Sequence, residues 1–174
     1  LLAVGRLHEA KDYPNLFHAI EILLKQDDEH KNIYLFVVGD GDLRSELEHL
    51  ITEKKLSTQV HLLGRRSDIP QLMSAADLFI LSSSFEGFGL VVAEAMACQT
   101  YVVATDCGGV KEVMGDTGIL VQPKNSLDLA QALMRAINLS DVEVIHNNMR
   151  ALKHVSKNFD LKNIVTKWLE IYAK

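Results

Sequence analysis

Features that would point to several other classes of protein are missing from this sequence. Its two cysteines, Cys98 and Cys107, have no CxxC partner and no histidine at ligand spacing, which predicts reduced thiols and no metal site. The formal net charge of -5 argues against nucleic acid as the main partner. No apolar run reaches the roughly 18 residues of a membrane span. No linker, repeat or low-complexity segment is present, so residues 1–174 are interpreted as one domain.

The start of the chain also lacks familiar features. There is no initiator methionine and no signal peptide, and residue 1 already lies in an apolar run. We therefore expect the chain to be a piece of a longer protein. With 174 residues, 48% of them hydrophobic, it is long enough to enclose a core of its own.

What the sequence does contain is a regular alternation of apolar runs and helical periodicity. Continuous apolar runs predict strands that are buried on both faces. The predicted strands are 1–5, 32–39, 59–64, 77–82, 100–105 and 118–121. The helical patterns between them include one opened by Pro14, one capped by Asp42 and one over 88–98, and two or three helices close the chain. This alternation predicts an α/β fold with a doubly wound, mostly parallel, Rossmann-like sheet of about six strands.

The loops after the strands are the candidate binding segments, because ligands of such sheets bind beyond the carboxyl ends of the strands. The loop after the first strand, VGRLHEAK, contains Arg6 and Lys11. Two cations this close repel each other unless an anion joins them, and a diphosphate suits a guanidinium fork and an ammonium group. Two ordinary cations on a solvated loop are the alternative.

The loop VVGDGDLR supports a rival interpretation. Gly39 and Gly41 form the G-x-G of a dinucleotide-binding fingerprint. Arg65 and Arg66 end the next strand, where an NADP enzyme holds a 2′-phosphate. Arg44 stands where the third small residue belongs, and its bulk is expected to obstruct helix–strand packing. The glycines alternatively make only a tight turn.

The stretch SSSFEGFGLVVAEAMAC, residues 82–98, combines an anion-binding pattern with two carboxylates. Gly87 and Gly89 at a helix N-terminus expose N–H groups and the positive end of the helix dipole, which favours phosphate. Glu94 lies in a helix predicted to be buried on nearly all sides, so it must pair with a cation, accept internal hydrogen bonds or face a ligand rich in hydroxyls. Glu86 stands at the mouth of this helix. Phosphate donors between two carboxylates favour a nucleotide sugar, with a helix cap and a buried ion pair as the structural alternative.

These segments together resemble a known family. EGFGLVVAE resembles the E-x7-E motif of retaining GT-B glycosyltransferases of the group 1, GT4-type family. VGRLHEAKDYPNL, VVGDGDLRSELEHL and ATDCGGVKEVMGDTGILVQP resemble further signatures of that family, in the right order and spacing. The resemblance covers nearly the whole chain. It implies the C-terminal, donor-binding half of a GT-B fold, without the N-terminal acceptor domain.

The resemblance also implies a role for each matched residue. Arg6 and Lys11 match the pair that neutralises the donor diphosphate. Glu86 matches the catalytic glutamate that contacts the donor hexose near the reacting centre, and Glu94 matches the one that holds the ribose hydroxyls. The other donor-binding matches, around the phosphates, the sugar and the base, are Gly87, Phe88, Gly89, Leu90 and Arg65. The family needs no metal ion, because side-chain cations and a helix terminus replace it.

Three positions depart from the family pattern. Residues 99–101 replace the usual Gly-x-Pro, Lys111 replaces a proline, and Ser82 replaces a proline that often ends the fourth strand. None of them is a matched donor contact. The departures therefore concern loop geometry and not the activity.

The implied function is transfer of a hexose-type sugar from a UDP or GDP donor to an acceptor hydroxyl, with retention of configuration, in polysaccharide or glycolipid synthesis. The implied partners are the nucleotide sugar and the N-terminal domain, with no nucleic acid and no cofactor. The implied location is the cytoplasm, with peripheral association at the inner face of the membrane left open. An NADP-binding dehydrogenase domain, half of a sugar-nucleotide epimerase and a non-catalytic nucleotide-binding partner are the alternatives. The sequence does not name the sugar, the base or the acceptor.

Overall fold

Strands and helices alternate along the part of the chain that the computed structural model describes, residues 1–26, 32–160, Val165, Leu169 and Tyr172. The strands are β1 Leu2–Val4, β2 Leu35–Val38, β3 Val60–Gly64, β4 Leu78–Leu81, β5 Tyr101–Thr105 and β6 Ile119–Val121. The helices are α1 Tyr13–Gln26, α2 Arg44–Glu53, α3 Ile69–Ala75, α4 Leu90–Ala97, α5 Val110–Met114, α6 Ser126–Ile137 and α7 Asp141–Asn158. Each predicted strand is present, and a 3-10 turn at Glu9–Lys11 leads into α1.

The strands form one parallel sheet in the order β3-β2-β1-β4-β5-β6. The chain fills one half of the sheet outward from β1 and then returns to build the other half from β4. The loops after β1 and β4 therefore diverge in opposite directions and leave a crevice at the carboxyl end of the sheet. The predicted doubly wound parallel sheet is confirmed.

Two apolar layers enclose the sheet. One layer joins one sheet face to α1, α2 and α6, with Leu16, Leu47 and Leu133 fully buried. The other layer joins the opposite face to α3, α4, α5 and α7, with Met96 and Val113 fully buried. The helices on both faces fix the positions of the strand ends and hence of the loops that follow them.

The prediction that the strands are buried on both faces holds for the centre of the sheet and is wrong at one edge. Every residue of β4 and β5 is buried. In contrast, Phe36 of β2 and Leu63 of β3 are each 39% exposed. Strand β3 is the edge strand and β2 lies next to it. Of these two strands, only Val38 of β2 belongs to the second apolar layer, and the helices of that layer leave Phe36 and Leu63 uncovered.

Three predicted helix boundaries change in the structure. Leu43, and not Asp42, occupies the capping position of α2, and no side chain caps this helix. Helix α1 begins at Tyr13, so Pro14 is its second residue. Helix α4 begins at Leu90 because Gly89 has the left-handed φ of 84°, which cannot continue a helix. A third C-terminal helix would fall after residue 160, largely outside the described residues.

No described helix has the length and apolar character needed to cross a membrane.

Candidate functional site

A cleft of about 430 Å³ lies at the carboxyl end of the sheet, where the loops after β1 and β4 face the first turns of α4. It brings together seven of the nine residues that the sequence predicts for the site. These are Arg6, Lys11, Glu86, Phe88, Gly89, Leu90 and Glu94. The cleft therefore lies where a doubly wound sheet binds its ligands.

Lys11 and Glu86 form an ion pair at the floor of this cleft. The Lys11 ammonium group donates to Oε1 of Glu86, although the two residues are 75 positions apart in the sequence. Their side chains are only 21% and 14% exposed. Because each partly buried charge would be costly alone, the two groups neutralise each other. Burial, and then the negative charge of Glu86, raise the pKa of the neighbouring Tyr13 hydroxyl, which donates to the carbonyl of Gly5.

Hydroxyl groups tie the loops that carry this ion pair to each other. Ser83 donates to the same Oε1 of Glu86 at 2.7 Å. Ser82 donates to the main-chain carbonyl of Lys11 at 2.8 Å, and Thr105 at the end of β5 donates to the carbonyl of Ser83 at 2.6 Å. These three buried residues were not predicted as site residues. The only sequence signal was the replacement of a strand-ending proline by Ser82.

Arg6 lies at the open side of the cleft and is paired differently. Its Nη2 donates to Oδ2 of Asp42 at 3.0 Å, and the two side chains are 66% and 80% exposed. Asp42 is therefore the counter-ion of Arg6 and not a helix cap. An exposed pair of this kind contributes little to stability, so an incoming anion can replace Asp42 at small cost.

Arg65 lies outside the cleft. It lines a neighbouring depression of about 690 Å³ together with Asp40, Gly41, Asp42 and Arg6. Arg6 borders both spaces, so the depression continues the cleft towards the loop after β3. The structure thus places Arg65 beside the predicted site, at the end away from Glu86.

The surroundings of Glu94 contradict the sequence-based expectation. The sequence predicts a helix buried on nearly all sides, but Leu90, Glu94 and Ala97 form an exposed stripe along α4. Among the described residues, the Glu94 carboxylate has no hydrogen-bond or ion-pair partner. Because Glu94 is exposed, its carboxylate does not need an internal partner, and it lines the cleft.

The segment 87–90 forms the wall of the cleft at the start of α4. Leu90 is 67% exposed, and the Phe88 ring packs edge-on against Phe159 with ring centroids 5.2 Å apart. No side chain caps α4, so its amino end faces the cleft without a protein acceptor from a capping residue. Gly87 is exposed beside the cleft, and its carbonyl accepts from the N–H of Gly109.

The glycines of the rival dinucleotide fingerprint have a packing role. An ideal Cβ at Gly39 would lie 2.8 Å from the carbonyl carbon of Gly5, and one at Gly41 would lie 2.9 Å from the carbonyl carbon and the main-chain nitrogen of Leu7. Both glycines therefore let the loop after β2 pack against the loop after β1. Arg44 lies at the surface, where its Nε donates to Glu48 at 2.9 Å. This arrangement corresponds to the tight-turn alternative.

The chain is similar to known proteins in both sequence and structure. The family described as glycosyl transferases group 1 matches residues 1–155. N-acetyl-alpha-D-glucosaminyl L-malate synthase of Bacillus anthracis is 35% identical over 142 residues, which are 79% of this chain and 36% of that protein. N-acetylgalactosamine-N,N'-diacetylbacillosaminyl-diphospho-undecaprenol 4-alpha-N-acetylgalactosaminyltransferase of Campylobacter jejuni is 33% identical over 163 residues, 92% of this chain and 42% of that protein.

Among solved structures, Anabaena Alr3699/HepE in complex with UDP and glucose matches with a TM-score of 0.85 and 31% identity. The match covers 99% of this chain and 48% of that one. The chain therefore spans less than half the length of each of these three relatives.

Proposed function

This chain belongs to the glycosyl transferases group 1 family, and we propose that it is the C-terminal, donor-binding domain of a retaining, GT4-type member. The whole enzyme transfers a hexose-type sugar from UDP or GDP to an acceptor hydroxyl. The observation that carries the proposal is the single cleft in which two cations and two carboxylates meet at the amino end of α4. A nucleotide sugar has complementary groups. Its diphosphate suits the two cations, and the hydroxyl-bearing ring on each side of the diphosphate suits the two carboxylates.

The cations of the cleft are proposed to hold the diphosphate. Arg6 exchanges Asp42 for a phosphate oxygen, and Lys11 shares its ammonium group between Glu86 and the phosphates. Together with the main-chain N–H groups at the start of α4, they stabilise the negative charge that develops on the leaving nucleotide. Because these groups perform the role that a metal ion has elsewhere, we expect transfer to need no metal.

The carboxylates are proposed to hold the two sugars. Glu86, at the floor of the cleft, contacts the donor hexose near the bond that breaks, where its charge supports the positive charge of the transition state. Glu94, exposed on α4, accepts hydrogen bonds from the ribose hydroxyls. Segment 87–90 lines the phosphates and the hexose, and Arg65 lies on the side of the base.

The acceptor is proposed to bind to a part of the protein outside these 174 residues. The relatives are more than twice as long as the segment they share with this chain, which leaves room for an N-terminal acceptor domain. The Campylobacter jejuni relative is named for a diphospho-undecaprenol acceptor, which supports a lipid-linked or polysaccharide acceptor here. With such an acceptor, the enzyme works in the cytoplasm, at the inner face of the membrane.

A ligand panel tests the class of ligand. UDP-, GDP- and ADP-sugars and NADPH are added separately to the chain, and the melting temperature is recorded. Ligand binding to the folded state raises the midpoint by mass action. We expect sugar nucleotides to raise it and NADPH to leave it unchanged. A response to NADPH alone would support the dehydrogenase alternative, which the tight packing of Gly39 and Gly41 does not favour.

Two matched substitutions test the assignment of the carboxylates in the full-length enzyme. Glu94→Gln should weaken binding of UDP and of the donor alike, because the ribose does not react. Glu86→Gln should lower turnover far more than nucleotide affinity, because its charge acts on the transition state. Melting temperatures of both variants report any structural role. The reverse pattern would show that the two ends of the donor have been exchanged.

A further inference from the structure

The loop that carries Glu86 is held by hydroxyl groups that no ligand in the cleft can reach. Ser83 and Thr105 are completely buried, and Ser82 is 3% exposed. Their bonds connect the ends of β4 and β5 to the loop after β1, and the main-chain N–H of Ser84 adds a further bond to the carbonyl of Ala10 at 2.8 Å. Two loops from distant parts of the sequence are thereby kept in register beneath the cleft.

The Glu86 carboxylate has two protein partners of different kinds. Lys11 is charged, lines the cleft and can turn to another anion. Ser83 is neutral and buried, and the geometry gives its hydroxyl one acceptor, Oε1 of Glu86 at 2.7 Å. Both partners use Oε1, so the other carboxylate oxygen lies outside these two bonds. Only one of the two partners can thus keep its position when a charged ligand enters.

We propose that Ser83 is a positioning residue of the transfer reaction, which holds the Glu86 carboxylate in place when Lys11 is shared with the donor diphosphate. This inference rests on the proposed function. A diphosphate brings more negative charge than one ammonium group can neutralise together with Glu86, so the Lys11–Glu86 pair weakens on binding. The hydroxyl of Ser83 does not compete for phosphate, and its bond to a charged acceptor is of the stronger kind. Glu86 then keeps one oxygen fixed and offers the other to the hexose.

Ser82 has a separate effect on the other partner. Its hydroxyl fixes the main-chain carbonyl of Lys11, and proline at this position could not donate that bond. Loss of the Ser82 hydroxyl should therefore loosen Lys11 and weaken binding of the diphosphate. Loss of the Ser83 hydroxyl should loosen Glu86 and lower turnover. The two neighbouring serines are thus expected to give opposite kinetic patterns.

The test measures donor hydrolysis by the full-length enzyme, with water in place of the acceptor and UDP-glucose, UDP-N-acetylglucosamine and GDP-mannose as probes. We expect Ser83→Ala to lower kcat by about 10- to 100-fold and to change the Kd of the free nucleotide by less than about threefold. Ser83→Thr keeps the hydroxyl and should recover most of the rate. Ser74→Ala, at an exposed serine of α3 that takes no part in these bonds, is the control and should behave as wild type. Ser82→Ala should raise the nucleotide Kd by more than it lowers kcat.

Each outcome decides the inference. If Ser83→Ala keeps kcat within about threefold of wild type, or loses nucleotide affinity in parallel with kcat, Ser83 does not position Glu86. If that variant does not fold, Ser83→Cys takes its place, because cysteine is nearly isosteric and a weaker hydrogen-bond donor. The same comparison, the loss of kcat against the change in nucleotide Kd, then decides. Wild-type enzyme that neither binds nor hydrolyses any of the three probes overturns the proposed function itself. Active wild type with an equally active Ser83→Ala overturns only the role of Ser83.

Discussion

Replacing Gly108 by alanine is the sharpest test of how the loop after β5 supports the cleft. Gly108 has a φ of 54°, in the left-handed region, and an ideal Cβ there would lie 2.8 Å from the carbonyl carbon of Glu86. It would lie closer still to the Glu86 carbonyl oxygen. Since non-bonded carbon atoms prefer separations of about 3.5–4.0 Å, the segment around Glu86 must shift by about 1 Å.

The cost of this substitution has two parts. A left-handed conformation costs an L-residue about 1–2 kcal/mol, and overpacking a tight contact costs about 1–3 kcal/mol. Gly108→Ala should therefore lower the free energy of unfolding by about 2–5 kcal/mol. For a domain of this size, that corresponds to a fall in melting temperature of about 4–20 °C.

Denaturant unfolding of Gly108→Ala and Gly87→Ala provides the measurement and its control. An ideal Cβ at Gly87 meets no atom within 4 Å, so Gly87→Ala should change the free energy of unfolding by less than about 0.5 kcal/mol. In the full-length enzyme, a displacement of Glu86 by about 1 Å should reduce turnover by about 100-fold. A Gly108→Ala variant as stable as Gly87→Ala would refute the close contact between this loop and Glu86.

The remaining predictions concern charges, one backbone conformation and the extent of the chain. Arg6→Ala and Lys11→Ala should each weaken the binding of UDP, but not of uridine, by about 1.5–3 kcal/mol in calorimetric titrations. Only Lys11→Ala should also lower the melting temperature. Equal losses of affinity for UDP and uridine would contradict the diphosphate assignment. Hydrogen bonds from Lys25 and Lys54 lower the pKa of Glu21 from 4.5 to about 2. Its stabilisation is therefore complete above pH 4.5 and is lost as the pH falls through about 2. Glu21→Gln should cost about 1 kcal/mol at pH 7 and clearly less at pH 2, and a cost independent of pH would disprove this. Gln99 has a φ of 58°; Gln99→Gly should raise the free energy of unfolding by about 0.5–1 kcal/mol, and a decrease would show that the Gln99 side chain stabilises the turn. The 174-residue chain alone should bind UDP and transfer no sugar to an acceptor, since one wall of a cleft neither excludes water nor positions the acceptor; measurable transfer would count against the two-domain proposal.

Much of the fold was predictable because its signals are local. Each strand of the sheet is a continuous apolar run that can be identified in a window of a few residues, and the strict alternation with helices leaves a parallel, doubly wound sheet as the consistent topology. The same rule places the loops that contain Arg6, Lys11 and Glu86 at one edge of the sheet. Their position at the carboxyl end of the sheet was therefore predictable, whereas their meeting in one cleft depends on β1 lying next to β4.

Local patterns were misleading where burial depends on neighbours distant in sequence. The apolar composition of α4 predicted a buried Glu94, but Leu90, Glu94 and Ala97 form an exposed stripe, of which Leu90 and Glu94 line the cleft. Phe36 belongs to an equally apolar run and is 39% exposed, because β2 lies near the sheet edge. Composition determines which residues can be buried, but the packing of whole helices and strands determines which of them are.

The pairing of charges was decided by the tertiary structure alone. Asp42 looked like a helix cap from its position before a helix, whereas in the structure it is the counter-ion of Arg6, 36 residues away. Lys11 meets Glu86 across 75 residues, and Ser83 completes the pair from beneath. The sequence determines which groups reach the carboxyl end of the sheet. Which of them touch depends on distances of a few ångströms between separate loops, and these are set only when both faces of the sheet are packed.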